Sequence, residues 1–116
     1  MPRRPSRTVS TAERMRAHAG DAARLLKTLG NEKRLMVLCL LVDGERSVGD
    51  LNAQLDLSQS ALSQHLAVLR ADGLVRTRRD AQTILYSLVE GPSLQVIATL
   101  HDAYCIDDRP RTEACP

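Results

Sequence analysis

Phenylalanine and tryptophan are absent from this chain, and tyrosine occurs only at Tyr86 and Tyr104. Proteins that grip single-stranded nucleic acid stack its bases on aromatic rings, so the composition speaks against that class. Long apolar runs are missing too. The longest, LMVLCLLV at residues 35–42, falls well short of the roughly 20 residues that span a bilayer, so no membrane association is expected. The basic start, MPRRPSRTVSTAER, runs into no apolar stretch, so no secretion signal is expected and the cytoplasm is the expected location. The three cysteines, Cys39, Cys105 and Cys115, form no C-x-x-C pair, and an unpaired, odd set fits a reducing compartment. At 116 residues there is room for one domain with a modest core.

What is present is charge of one sign in particular places. Residues 1–20 hold five arginines against Glu13, and Arg70, Arg76, Arg78 and Arg79 stand together against Asp72. From Glu90 onward there are five acids and two arginines. The basic stretches imply an anionic partner, although charge alone fits a solvated surface equally well.

The most informative stretch is residues 57–75, LSQSALSQHLAVLRADGLV. Leu62, Leu66 and Leu69 recur at helical spacing, Ser58 is a natural N-cap, and Asp72-Gly73 is a natural stop. The opposite face carries Ser60, Ser63, Gln64 and Ala67, flanked by Gln59 and Arg70. A solvated helix face ordinarily mixes Glu with Lys; here hydroxyls and amides dominate, with no acid before Asp72. Such a face suits the DNA major groove, where hydroxyls and amides hydrogen-bond base edges and small residues permit close approach. His65 lies on the flank of the apolar stripe and is better suited to packing or phosphate than to a base.

Around this helix the chain orders itself. Residues 1–11 read as a basic tail. Residues 12–29 form a helix with Met15, His18, Ala19, Ala22, Leu25, Leu26 and Leu29 on one stripe. Gly30 stops it and Asn31 caps the next, residues 32–42, whose apolar character predicts burial on all sides with Cys39 inside. Ser47 to Asp50 has the S-x-x-D pattern of a helix start, giving a short helix over 48–55. With the helix at Ser58 it makes a helix-turn-helix whose second helix is the reader. Residues 74–88 favour a two-stranded hairpin with a basic tip, Arg79 and Arg78, placed to lie along phosphate. A last helix over 93–105, after Pro92, has two apolar faces and therefore two partners, its own core and a second subunit. Residues 107–116 read as a tail. The fold expected is mainly α (α+β): four helices, a hairpin and a fifth helix, a winged helix-turn-helix occupying residues 12–106.

These stretches (LLKTLGNEKRLMVLCLL, SVGDL, LSQSALSQHLAVLRADGLV and RTRRDAQTILYSL) resemble the ArsR/SmtB family of dimeric bacterial repressors, over about residues 22–105. The resemblance implies a homodimer packed through its first and last helices on near-palindromic double-stranded operator DNA, with its reading helices roughly 34–36 Å apart. The family's metal sites are not matched. Ser47 and Gly49 stand where the arsenic/cadmium type has a Cys-x-Cys pair. The last helix reads Leu100-His101-Asp102-Ala103 with no later histidine, so no metal and no cofactor are expected. One cysteine in the second helix and one ending the last resemble the BigR/SqrR/HlyU group, which senses persulfides and oxidants through a dithiol. That resemblance makes Cys39 and Cys105 the sensing pair, with a reactive sulfur species or oxidant as effector. It implies a transcription regulator and not an enzyme. Ser58, Gln59, Ser60, Ser63, Gln64, His65, Arg78 and Arg79 are the expected DNA contacts. Two rivals remain: a metal-sensing repressor of the same fold using His101 with a thiol, and a small thiol oxidoreductase. Taken alone, Cys39 reads as a small buried hydrophobe, and the resemblance is what makes it a sensor. Cys115, in the tail, has no assigned role.

Overall fold

A computed structural model describes residues 10–105. The first helix, α1 (Thr11–Leu29), begins one residue before the expected start, because Ser10 and Glu13 cap each other reciprocally. The Ser10 hydroxyl accepts the Glu13 N–H and the Glu13 carboxylate accepts the Ser10 N–H, both at 3.1 Å. What remains of the expected basic tail, residues 1–9, lies outside the described residues, as do residues 106–116. The apolar stripe of α1 meets the core only at its end, where Thr28 and Leu29 are buried. His18 and Ala19 are exposed, Met15 is 49% exposed and Leu26 60%, because the helix runs past the body of the domain.

Gly30 and Asn31 turn the chain into α2 (Glu32–Leu41), the Asn31 side chain accepting the Lys33 and Arg34 N–H groups at 3.0 Å. The expectation that this helix is buried on every side is corrected. Val37, Leu38 and Leu41 enter the core, whereas Leu35, Cys39 and Leu40 are half-buried and Met36 is 44% exposed. One side of α2 faces a groove beside the last helix instead.

A two-residue strand that lacks any sequence signature, β1 (Arg46–Ser47), precedes α3 (Val48–Gln54). Ser47 caps α3 by accepting the Asp50 N–H at 3.0 Å. Arg46 joins three segments: its Nε donates to the Leu40 carbonyl at the end of α2, and its Nη1 to Asp50 in α3, each at 2.9 Å. The turn after α3 is braced by Asn52, whose amide donates to the Leu57 carbonyl at 2.9 Å.

Helix α4 (Gln59–Ala71) starts at the Ser58 cap, which accepts the Ala61 N–H at 3.1 Å. It buries Leu62, Leu66 and Leu69, each burial contributing about 1.5–3 kcal/mol. Gly73, at φ +75°, supplies the left-handed turn that leads out. Strands β2 (Val75–Asp80) and β3 (Thr83–Leu88) pair antiparallel, and β1 adds to the far side of β3, giving the order β1-β3-β2. The two-stranded hairpin is thus a three-stranded sheet. Its turn is only Ala81-Gln82, with Ala81 at φ +60°, so Arg78 and Arg79 sit inside β2, opposite Leu85 and Ile84, and not at the tip. Helix α5 (Pro92–Tyr104) ends one residue before the expected end, with Cys105 as its C-cap, and buries Ser93 and Ile97. The architecture is a winged helix-turn-helix.

One tie was not foreseen. The buried Thr28 hydroxyl at the end of α1 donates to Asp72 Oδ2 at the C-cap of α4, at 2.7 Å, with Arg24 3.6 Å from the same carboxylate. The Asp72→Ala protein is expected to lose about 1–3 kcal/mol, since it leaves a buried hydroxyl unpaired. Thermal melts of the Thr28→Val, Asp72→Ala and double variants check it. A double variant as unstable as the sum of the singles would show the tie contributes nothing.

Candidate DNA interface and thiol pair

The outward face of α4 is open as the sequence anticipates: Ser58, Gln59, Ser60, Ser63, Gln64 and Ala67 are exposed. The Ser58 hydroxyl, which caps the helix, also lies 3.3 Å from that of Ser60. His65 is half-buried on the flank, away from the most exposed line. The N-terminal end of α4, exposed at Ser58, Gln59 and Ser60, is the positive end of its helix dipole.

The two wing arginines differ. Arg78 is clamped by Glu45, from the loop before β1, through two hydrogen bonds of 2.7 and 2.8 Å from Nε and Nη2. That forked pairing holds the Glu45 carboxyl below the usual carboxylate range, with Arg76 adding to the effect. The pair therefore persists near neutrality and is lost only as pH falls through the lowered Glu45 value. Arg79, on the opposite face of β2, makes no ion pair among the described residues and is exposed. The sequence showed both arginines but not the carboxylate 33 residues earlier that occupies one of them. In a Glu45→Gln protein Arg78 is freed. Its log affinity for DNA should then fall more steeply with log salt, by about 0.9 per added phosphate contact. Anisotropy titrations across salt concentrations measure the slope, and an unchanged slope means Arg78 meets no phosphate.

On the side of the domain beside α5, α2 and α5 border a groove of about 430 Å³. Its apolar walls are Leu35, Met36, Leu40, Leu100 and Tyr104; Cys39, Cys105, Asp43 and His101 also open into it. Both thiols are free, Cys39 half-buried and Cys105 exposed. Both line the same groove. Burial foremost, and then the neighbouring Cys105 sulfur, push the Cys39 pKa up. Cys39 is accordingly a protonated, poorly nucleophilic thiol near neutral pH, and Cys105 is the sulfur that solvent reaches. His101 Nε2 stands 3.8 Å from Asp43 Oδ1 across the rim. Among the described residues, no three of the His, Cys, Asp and Glu side chains gather to hold a metal ion. No helix among them is long and apolar enough to cross a membrane.

Residues 31–77, from the cap of α2 into β2, match the family model for bacterial regulatory proteins of the arsR family. Over 93 residues the chain is 52% identical to the transcriptional activator HlyU of Vibrio cholerae, covering 80% of this chain and 86% of that protein. The structure of reduced HlyU superposes with a TM-score of 0.76 over 81% of this chain and 99% of that one. The biofilm growth-associated repressor of Xylella fastidiosa is 43% identical over 99 residues, 85% of this chain and 87% of that protein. The structure of the transcriptional repressor BigR from Xylella fastidiosa gives a TM-score of 0.77 at 43% identity, over 85% of this chain and 98% of that one. A homodimeric winged helix-turn-helix DNA-binding domain from Mycobacterium bovis gives a TM-score of 0.67 at 27% identity, over 83% of this chain and 89% of that one.

Proposed function

Because the chain belongs to the arsR family of bacterial transcriptional regulators, we propose that it acts as a homodimer on operator DNA and that the thiol state of Cys39 and Cys105 sets its affinity. The observation that carries this reading is the meeting of two free thiols, one from α2 and one from the end of α5, in a single groove. In this reading α4 enters the major groove, Ser58 and the helix N-terminus hold phosphate, and Gln59, Ser60, Ser63 and Gln64 read bases. His65 braces the helix or a phosphate. Arg79 and, when released from Glu45, Arg78 hold the wing on the backbone. In this reading the second subunit covers the open stripe of α1 and the outer face of α5, and the symmetric pair matches a near-palindromic operator.

Thiol chemistry then connects to DNA through geometry. The exposed Cys105 thiolate attacks a persulfide, polysulfide or peroxide, and Cys39 displaces the leaving group to close a disulfide. That bond ties α2, the core helix, to α5. A shift of α5 changes the spacing of the two reading helices, and both must fit their grooves together. Arg46 adds a direct link from the end of α2 to α3 of the helix-turn-helix. The test is an anisotropy titration of operator-like DNA with reduced, tetrasulfide-treated and peroxide-treated protein, with mass spectrometry of the Cys39 and Cys105 peptides alongside. Weakened binding with the two peptides cross-linked supports the switch; affinity indifferent to thiol state rejects it.

A further inference from the structure

We propose that the Thr28–Asp72 hydrogen bond is the joint that fixes the DNA-reading unit to α1, so that Thr28 and Asp72 set which half-site spacing the dimer accepts without touching DNA. The joint rests on the reading in which α1 packs against a second subunit and α4 enters the major groove, and it assigns both residues a positioning role there. Asp72 is the C-cap of α4, and Gly73 and Leu74 lead from it straight into β2 of the wing. Whatever holds Asp72 therefore holds the end of the reading helix and the root of the wing together.

Helix stability does not call for a carboxylate at this position. The C-terminus is the negative end of the helix dipole, where an acid is unfavourable. Asp72 turns its charge to α1, accepting the Thr28 hydroxyl at 2.7 Å, a length typical of a charge-assisted bond. Thr28 is 6% exposed and the Asp72 side chain 20%, so little water competes for the bond. Arg24, 3.6 Å from the other carboxylate oxygen, has a side chain 74% exposed and adds little. Thr28 is itself anchored, because its carbonyl accepts Arg34 Nε, in the first turn of α2, at 3.0 Å.

Packing alone leaves the direction of α4 open. A groove of about 270 Å³ lies between α1 and the end of α4, with Arg24 and Leu25 on one side and Ala71 and Leu74 on the other. The leucine stripe holds α4 on the core, but apolar contact has no preferred direction, whereas a short hydrogen bond has one. At 13 residues α4 is about 20 Å long, so a tilt of about 10° at its cap carries its first turn about 3 Å, close to one base-pair step. Two reading helices free to tilt accept neighbouring spacings; two that are tied accept one.

The full-length protein selects a palindromic duplex from random-sequence DNA. Anisotropy titrations then compare that duplex with versions whose half-sites stand one or two base pairs nearer or farther, and with a single half-site. The parent protein should prefer its own spacing by at least about tenfold. Thr28→Val, which keeps the shape and removes the hydroxyl, should compress that preference below about threefold while binding the single half-site within about twofold of the parent. Thr28→Ala, which sets no methyl group against the carboxylate, should do the same, and Thr28→Ser, which keeps a hydroxyl, should retain the preference. Val37→Ala, at a fully buried position on α2, loses stability through a cavity but keeps the bond, and should leave the preference intact. A spacing profile unchanged in Thr28→Val and Thr28→Ala, one flattened equally by Val37→Ala, or a loss just as large on the single half-site would overturn the joint. A parent protein indifferent to spacing would instead remove the paired reading helices on which the joint rests.

Discussion

Cys39→Ser and Cys105→Ser proteins should each bind operator DNA equally well before and after polysulfide treatment, while the unaltered protein loses affinity. Couplings between two sites in one protein typically amount to about 1–3 kcal/mol, so the loss should lie between about 5-fold and 150-fold. Both single variants remove the response because the effect belongs to the bond between α2 and α5 and not to either adduct. Neither should unfold: Cys105 is exposed, and Cys39 is only half-buried against the core. The two variants differ in intermediates. Cys39→Ser leaves the exposed Cys105 reactive, so its adduct accumulates and is visible by mass. Cys105→Ser should react slowly, since burial holds the remaining thiol protonated. The same shift fixes the pH dependence of closure. An ordinary thiol gains no further thiolate well above its own pKa, but Cys39 titrates higher. Closure of a preformed Cys105 adduct should therefore keep accelerating above the pH at which an ordinary cysteine is fully ionised. Levelling off below that pH would mean that Cys39 is not the resolving sulfur. Cys115 lies outside the described residues, and a Cys115→Ser protein should keep the full response.

The second large effect is on stability. Leu62→Ala in α4 should destabilise the domain by about 2–5 kcal/mol, through lost burial and the cavity left behind. Leu62 is completely buried in the core cluster of leucines, and a packed core relaxes only partly around such a gap. Domains of this size have about 5–15 kcal/mol in hand, so the melting temperature should fall by about 10 °C or more. Ser63→Ala, one residue on, should stay within about 0.5 kcal/mol of the parent because its side chain is exposed. It should weaken specific DNA binding nonetheless. Denaturant melts paired with DNA titrations separate the two faces of one helix. A Ser63→Ala protein with unchanged sequence preference would take that hydroxyl out of base reading.

Much of this was legible in the sequence because the signals are local. Caps at Asn31, Ser47 and Ser58, the stop at Asp72-Gly73 and the leucine stripe of α4 are each written within a few residues, and the structure has all of them. What was not legible depends on partners far apart in the chain. Strand β1 is two residues long, too short for any period, and exists because β3 offers it an edge. The basic hairpin tip was an error of length: the strands run on to Asp80 and Thr83, and Ala81 takes the left-handed conformation that the sequence does not advertise. The run at 35–42 is apolar on every side, yet one side lines a groove, because α5 crosses near it without covering it. Composition reports that a side chain tolerates burial, not that something arrives to bury it. For the DNA contacts, the sequence supplied the face of α4 but could not show that Glu45 occupies Arg78 while Arg79 has no ion-pair partner among the described residues.

The unsupported first turns of α1 carry a consequence for how much protein is present. Met15 and most of that helix have nothing beneath them among the described residues. If a second copy covers them, folding and association share one equilibrium, and the melting temperature must rise with protein concentration by mass action. A regulator present in few copies then loses operator occupancy faster than its numbers fall, since each lost partner also loosens the chain it leaves behind. Dosage thus enters regulation independently of any chemistry at sulfur.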